Sequence, residues 1–237
     1  MGALVLRELG CALRNRTVLL TVAVVVGFCA FLTLVVPELL DGLPAMRAFF
    51  YAFVVTVPVV EVGGVIMLFA MAEEWSHGTY EVMARAGVSV GLVVAGKVVA
   101  GVVLCALIEV AVALIVGAGG WQALGLGAVT AVGCIPFLLV AAGCGLCSRD
   151  EMRVNAFAFL LVVLCLVPLF GTLISPLGIV GVASPTAFLA GVGTWMMDGS
   201  AGFQSLSMDL LALVASLAAW LVVSILWARW CIRRAER

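Results

Sequence analysis

Apolar residues run along this chain in long uninterrupted stretches, at about 18–36, 48–72, 92–116, 123–147, 157–174 and 210–228, with short polar connections between them. Each stretch approaches the roughly 20 residues that a helix needs to cross the hydrocarbon core of a bilayer. No strand-like alternation is sustained, and backbone in lipid must satisfy its own hydrogen bonds, so helices are the expected form. The pattern predicts an all-α polytopic membrane protein of six transmembrane helices, forming a single membrane domain over residues 1–237. No repeat of fixed period and no low-complexity tract breaks it.

Two segments outside these stretches carry structural information. Residues 1–17 place Leu6, Leu9 and Leu13 at helical spacing against Arg7, Glu8 and Arg14, which suits a helix lying in the cytoplasmic interface. The apolar run that follows is too long for a signal peptide and ends in no small-residue cleavage site, so the segment is expected to be retained. Residues 175–209 hold an uncharged stretch from Gly178 to Met197 that could cross the membrane, but Gly178, Gly181, Gly191, Gly193 and Pro185 weaken a continuous helix there. The expected form is an outer re-entrant segment that dips into the membrane before the last span and returns. Trp75, Trp121, Trp227 and Trp230 fall near span ends, where indoles favour the headgroup region.

Charge sets the orientation. If both termini are cytoplasmic, ten of the 12 cations lie on that side: Arg7, Arg14, Arg16, Arg85, Arg149, Arg153, Arg229, Arg233, Arg234 and Arg237. Only Arg47 lies opposite, and Lys97 sits just inside the third span, where its stem is expected to reach toward the interface. The excess of cations on the cytoplasmic side places both ends there, in the cytoplasmic membrane. Composition agrees, with 65% hydrophobic and 11% charged residues and a mean hydropathy of +1.32. Soluble chains are about 25% charged. A net charge of -1 gives no basic face for nucleic acid.

The chemistry that is missing narrows the function. Five of the 8 cysteines, Cys29, Cys105, Cys134, Cys144 and Cys165, fall within apolar spans, and none lies in an outer loop. Cys144 and Cys147 form a lone C-x-x-C with no second pair and no nearby histidine, so the cysteines read as small packing residues. The single histidine, His77, lies in a cytoplasmic loop, which leaves no partner for a serine nucleophile at membrane depth and too few ligands for zinc. Asp41, Asp150, Asp198 and Asp209 are scattered over different loops. Gly91, Gly96 and Lys97 match most of a P-loop, but Val98 stands where a magnesium-binding hydroxyl is required. The chain is expected to be no enzyme, to bind no metal and to carry no cofactor of its own.

What polar chemistry remains is concentrated. Glu61 lies near the middle of the second span and Glu109 in the outer half of the third, and acids at such depth cost several kcal/mol unless they face a cavity or a partner. Pro58 precedes Glu61 by a turn and Gly63 and Gly64 follow it, so a kink with freed carbonyls is expected beside the acid. Glu61 and Glu109 are therefore candidates for a transport pathway, and Glu109 could equally be a structural acid. The loop at 73–91 begins EEWSHGTYEVMARAG. Glu73 to Gly78 are expected to be irregular, and Thr79 to cap a short helix through Arg85 with Glu81 in its first turn.

Glu73 or Glu74, then Gly78, Thr79 and Glu81, with Gly96 and Lys97 further on, resemble the "E…GT-E…GK" pattern after the second span of ABC-transporter permeases of the ABC-2 type, the type-2 exporter family. The resemblance extends over nearly the whole chain: an Arg-Glu-containing interfacial helix, six spans with both ends inside, a short charged fourth loop at Ser148 to Arg153, and a Pro-containing outer segment. It implies a permease subunit that dimerises with a second permease and pairs with a separate ABC-type ATPase subunit, which would carry the ATP and magnesium. The resemblance assigns Glu73, Glu74, Gly78, Thr79, Tyr80, Glu81 and Arg85 to the coupling loop that docks on the ATPase. It also makes residues near Leu6 to Leu13 the connecting helix, and Ser175 to Met197 the segment that closes the exit. The family's frequent proline after the loop glutamate is missing from Ala84 to Gly87. The implied function is export of an amphipathic drug, peptide or lipid-like molecule. Haem-exporter permeases of cytochrome maturation have a similar layout, and a six-span scaffold or channel without ATP coupling is the alternative from another class.

Overall fold

A computed structural model describes residues 1–39, 43–115, 117–148, 151–171, 181–198 and 209–236. The described residues are helical throughout, with no strand. In chain order they form α1 (Gly2–Arg14), α2 (Arg16–Leu39), α3 (Pro44–Pro58), a π-helical segment (Val59–Val65), α4 (Ile66–Ser76) and α5 (Thr79–Arg85). There follow α6 (Val90–Ile115), α7 (Gly120–Gly133), α8 (Ile135–Cys147), α9 (Glu151–Gly171), α10 (Ala187–Asp198) and α11 (Leu210–Ala235). Much of the loop at Ser148 to Arg153, at Arg149 and Asp150, and both flanks of the segment expected to be re-entrant, 172–180 and 199–208, lie outside the described residues.

Among the described residues, four helical stretches are long and apolar enough to cross a membrane: Ala45–Ser76, Val90–Ile115, Met152–Phe170 and Leu210–Ala235. Two bent pairs, α1 with the start of α2 at 76° and α7 with α8 at 43°, raise the count to as many as six if each pair is one span. The chain is therefore a multi-pass membrane protein. The steep bend between α1 and α2 is made at Asn15, whose Oδ1 accepts from Thr17 N–H at 2.9 Å and so caps the start of α2. Leu6 and Leu13 on α1 are exposed.

Several boundaries differ from the sequence expectation, each for a local reason. The second span was expected to end at 72, yet the helix runs on to Ser76, so Glu73 and Glu74 are helical rather than looped. No breaker precedes Gly78, and Glu74 finds a cation on α6. The fourth span, expected continuous over 123–147, bends at Cys134, one residue before the start of α8 and two before Pro136, whose missing N–H suits a helix start. α9 begins at Glu151 and α11 runs to Ala235, both beyond the apolar runs that announced them.

Without a hydrophobic drive between helices in lipid, close packing depends on small residues. A side-chain carbon at Gly145 of α8 would lie 2.5 Å from Met71 Cβ and 2.8 Å from the Leu68 carbonyl on α4, so only glycine admits this approach. Phe137, Leu138, Leu68 and Met71 fill the resulting core between α4 and α8. α10 lies against α3 and α11, with Gly193 facing Val55 and Gly191 facing Leu213.

Candidate functional site

Pro58 has no N–H to give the Val54 carbonyl, and Val54 is fully buried in the protein. The Cys29 thiol of α2 donates to it at 3.8 Å. Beyond Pro58 the helix does not simply kink, as the sequence suggested; it widens into π-type turns from Val59 to Val65, and Ile66 N–H reaches back five residues to the Glu61 carbonyl. Single π turns of this kind recur at functional sites. Gly63 and Gly64 press the widened segment against its neighbours: a Cβ on Gly63 would lie 2.6 Å from Cys105 Sγ on α6, and one on Gly64 would run into the Phe137 ring on α8.

Glu61, on this segment, lines a cavity of about 680 Å³ bounded by α1, α2, α4 and α6. Val62, Val65, Ile66, Met67, Phe69 and Leu104 make its apolar wall, and Glu8, Glu73, Glu74 and Lys97 also line it. Among the described residues no cation pairs with Glu61.

Those charged lining residues include the least expected feature of the structure. Lys97 is buried, and instead of reaching for the interface its Nζ donates to Glu8 Oε2 at 2.6 Å and to Glu74 Oε1 at 2.9 Å. Arg7 pairs with Glu8 from the other side. Glu8, read from the sequence as part of the polar face of α1, thus turns inward. Burial alone would push its carboxyl up, but the hydrogen bonds from Lys97 and Arg7 outweigh burial and hold it below its ordinary value. α1 lies close against α6 here, since a Cβ on Gly96 would come within 3.2 Å of Leu4 Cβ. One ammonium therefore ties three elements together, α1, α4 and α6. The P-loop-like run around Gly91, Gly96 and Lys97 is helical and contributes this lysine to an ion cluster.

The short helix expected after the second span is present as α5, but its cap differs. Gly78 holds the N-cap position in the left-handed region, at φ 69°, with no side-chain cap, and Thr79 is the first helical residue. A glycine reaches that conformation at no steric cost, and with Gly78 at the cap Thr79 falls one position too late to act as one. At the other end Gly87 N–H bonds the Ala84 carbonyl and Val88 N–H the Met83 carbonyl, both at 3.0 Å. Gly87 has φ 78°, and the pair of bonds is a Schellman stop that serves where no proline follows. Tyr80 is buried, and its hydroxyl donates to Met71 Sδ at 3.1 Å while its ring packs on Trp75. Burial first, and then the Glu74 carboxylate nearby, raise its phenol far above the ordinary range. Glu81 and Arg85 form an exposed i,i+4 pair at 3.9 Å, and Val82 between them is 66% exposed. α5 therefore has a pinned side, Tyr80, and a free face, Glu81, Val82 and Arg85.

Glu109 stands apart from this assembly. It is 1% exposed on α6, and its Oε2 has no hydrogen-bond partner. The cavity that Glu61 lines does not reach it.

The eight cysteines are free thiols, and Cys147 Sγ approaches Cys231 Sγ to 3.3 Å, a pairing of α8 with α11 that the sequence reading did not foresee. Among the described residues no cluster of histidine, cysteine and carboxylate side chains could hold a metal ion. No protein-family model matches the chain, and no curated protein is significantly similar to it.

Proposed function

We propose that this chain is the membrane-spanning subunit of an ATP-driven exporter of the ABC-2 type, with six spans, both termini in the cytoplasm and the ATPase on a separate chain. The observation that carries the proposal is the Lys97 cluster. It binds the interfacial helix, the end of the second span and the start of the third into one unit, and α5 hangs from that unit by Tyr80 with its opposite face free. A push on such a face cannot be absorbed by a floppy loop. It passes through Tyr80 and Met71 into α4, and through Glu74 and Lys97 into α6 and α1.

In this scheme the ATPase docks on Glu81, Val82 and Arg85, with Glu73 and Thr79 at the edge of the contact. Its closure on ATP moves the unit between two arrangements, which is the requirement for alternating access. The π segment lies on the same helix as α4 and is the place where that motion can bend the second span. A second permease copy completes the membrane half, and the cargo is amphipathic. Replacing Glu81 with Lys is expected to abolish transport into inside-out vesicles while the chain keeps its detergent elution profile and helicity. Wild-type transport by that variant would remove α5 from the coupling path. The orientation is checked by labelling single cysteines placed at Ser76 and Trp121, which are expected to react from the cytoplasm and from outside respectively; the reverse pattern overturns it.

A further inference from the structure

The cavity beside the π segment combines three properties. It is large, about 680 Å³. One wall is apolar, made by Val65, Phe69 and Leu104 among others. The carboxylates among its lining residues, Glu8, Glu61, Glu73 and Glu74, outnumber their one ammonium, Lys97. Lys97 is already saturated by Glu8 and Glu74, and Glu73 is exposed, which leaves Glu61 as the acid on the membrane-embedded wall with no cation of the described chain beside it. An acid on an apolar wall with no counter-charge beside it favours a positive partner.

We infer that this cavity is a binding site for a lipophilic organic cation, whose positive centre pairs with Glu61 while its apolar body lies along Val65, Phe69 and Leu104. An anion is excluded by the surplus of carboxylates. A neutral amphiphile would fill the apolar wall and leave Glu61 unpaired. The π geometry contributes directly, since Gly63 and Gly64 let the segment sink against α6 and α8 while Glu61 remains at the cavity. That such a cation is also the transported cargo rests on the exporter proposal; its binding does not.

The test therefore uses the purified full-length chain alone, in phosphatidylcholine nanodiscs, with no ATPase present. Tritiated tetraphenylphosphonium is expected to bind saturably, and Glu61→Gln to weaken it by about tenfold or more. Glu61→Asp should keep most of the affinity, and Glu236→Gln, at the exposed end of α11, should change nothing. Tetraphenylborate, with the same shape and the opposite charge, should show no binding that depends on Glu61. In the wild-type chain tetraphenylphosphonium should also protect Glu61 from dicyclohexylcarbodiimide, which gives a readout if Glu61→Gln fails to fold. Discs containing phosphatidylethanolamine distinguish two sources of the cation. Loss of phosphonium binding there would support the site with a lipid amine as occupant, and unchanged binding would support it with a soluble cation. Equal affinity in Glu61→Gln, or borate binding as tight as phosphonium, overturns the inference, whatever an ATPase does.

Discussion

Pro58 in α3 and Pro168 in α9 both fall inside apolar helices, and the chain resolves them in opposite ways. At Pro168 in α9 the freed Leu164 carbonyl accepts from the Ser184 hydroxyl at 2.9 Å, and Thr186 Oγ1 bonds the next carbonyl, Cys165, at 3.0 Å. The irregular backbone supplying those hydroxyls is satisfied in turn, with Ser216 donating to the Val182 carbonyl and Trp220 to that of Ala183. At Pro58 the freed carbonyl gets only a long thiol contact from Cys29, and the strain runs on into a π segment beside a cavity. The first region is closed by neutral hydroxyl donors on short bonds, the second by a weak donor, two glycines and a carboxylate. The difference marks the contact of α9 with Ser184 and Thr186 as an anchor and the segment after Pro58 as the place built to deform.

The largest effect is expected at the charged end of the deformable region. Lys97→Met takes the shared cation from Glu8, which keeps only Arg7, and from the partly buried Glu74, at a cost of about 3 kcal/mol. The melting temperature measured in detergent should drop sharply, and adding Glu8→Gln with Glu74→Gln should recover much of it. The same cluster gives a pH dependence. Because Glu8 sits below its ordinary carboxylate value of 4.5, its contribution is fully present above that value and is lost as pH falls through the lower folded one. Release of α1, followed by tryptic cleavage at Arg7 or Arg14 after brief acid exposure and neutralisation, should begin only below 4.5; release at neutral pH would remove the ion cluster from the account of α1.

Overpacking the π segment comes next. Gly64→Ala drives a methyl into the Phe137 ring, a change that costs about 1–3 kcal/mol in a packed core, and it should perturb tetraphenylphosphonium binding as well as stability. A variant that melts like wild type would mean the segment is looser than its packing shows.

The smallest effects compare the two prolines directly. Ser184→Ala strands the Leu164 carbonyl and should cost about 1–3 kcal/mol. Cys29→Ala gives up a weaker donor and should cost about 1 kcal/mol or less. Thermal melts of both variants under one condition check the order. If Cys29→Ala proved the more damaging, the anchor and the deformable site would change places.

How much of this was legible in the sequence depended on range. Helical stretches announce themselves because crossing a bilayer takes about 20 apolar residues in succession, and Glu61 stands out as an acid in such a run. The short helix at α5 was legible from Gly78 and Glu81, although its cap was not, because Gly78 in the left-handed region displaces Thr79 from the capping position. The Lys97 cluster was not legible, since its partners lie 89 and 23 residues away and only packing brings them together. A signal did exist: a lysine inside an apolar span needs a counter-charge, and Gly96 beside it marks a close approach. Ser184 and Thr186 were hidden for the same reason, as nothing local connects them to Pro168.

The proposal of an ATP-coupled permease is tested most directly by affinity purification of the tagged full-length chain, expressed together with a candidate ABC-type ATPase. The expected result is a complex in which that ATPase, identified by its P-loop and ABC signature, is retained by the wild-type chain and lost when Val82 and Glu81 on the free face of α5 are changed to Asp and Lys. A chain that purifies without any ATPase, or one that holds it equally well after those two changes, would contradict the proposal.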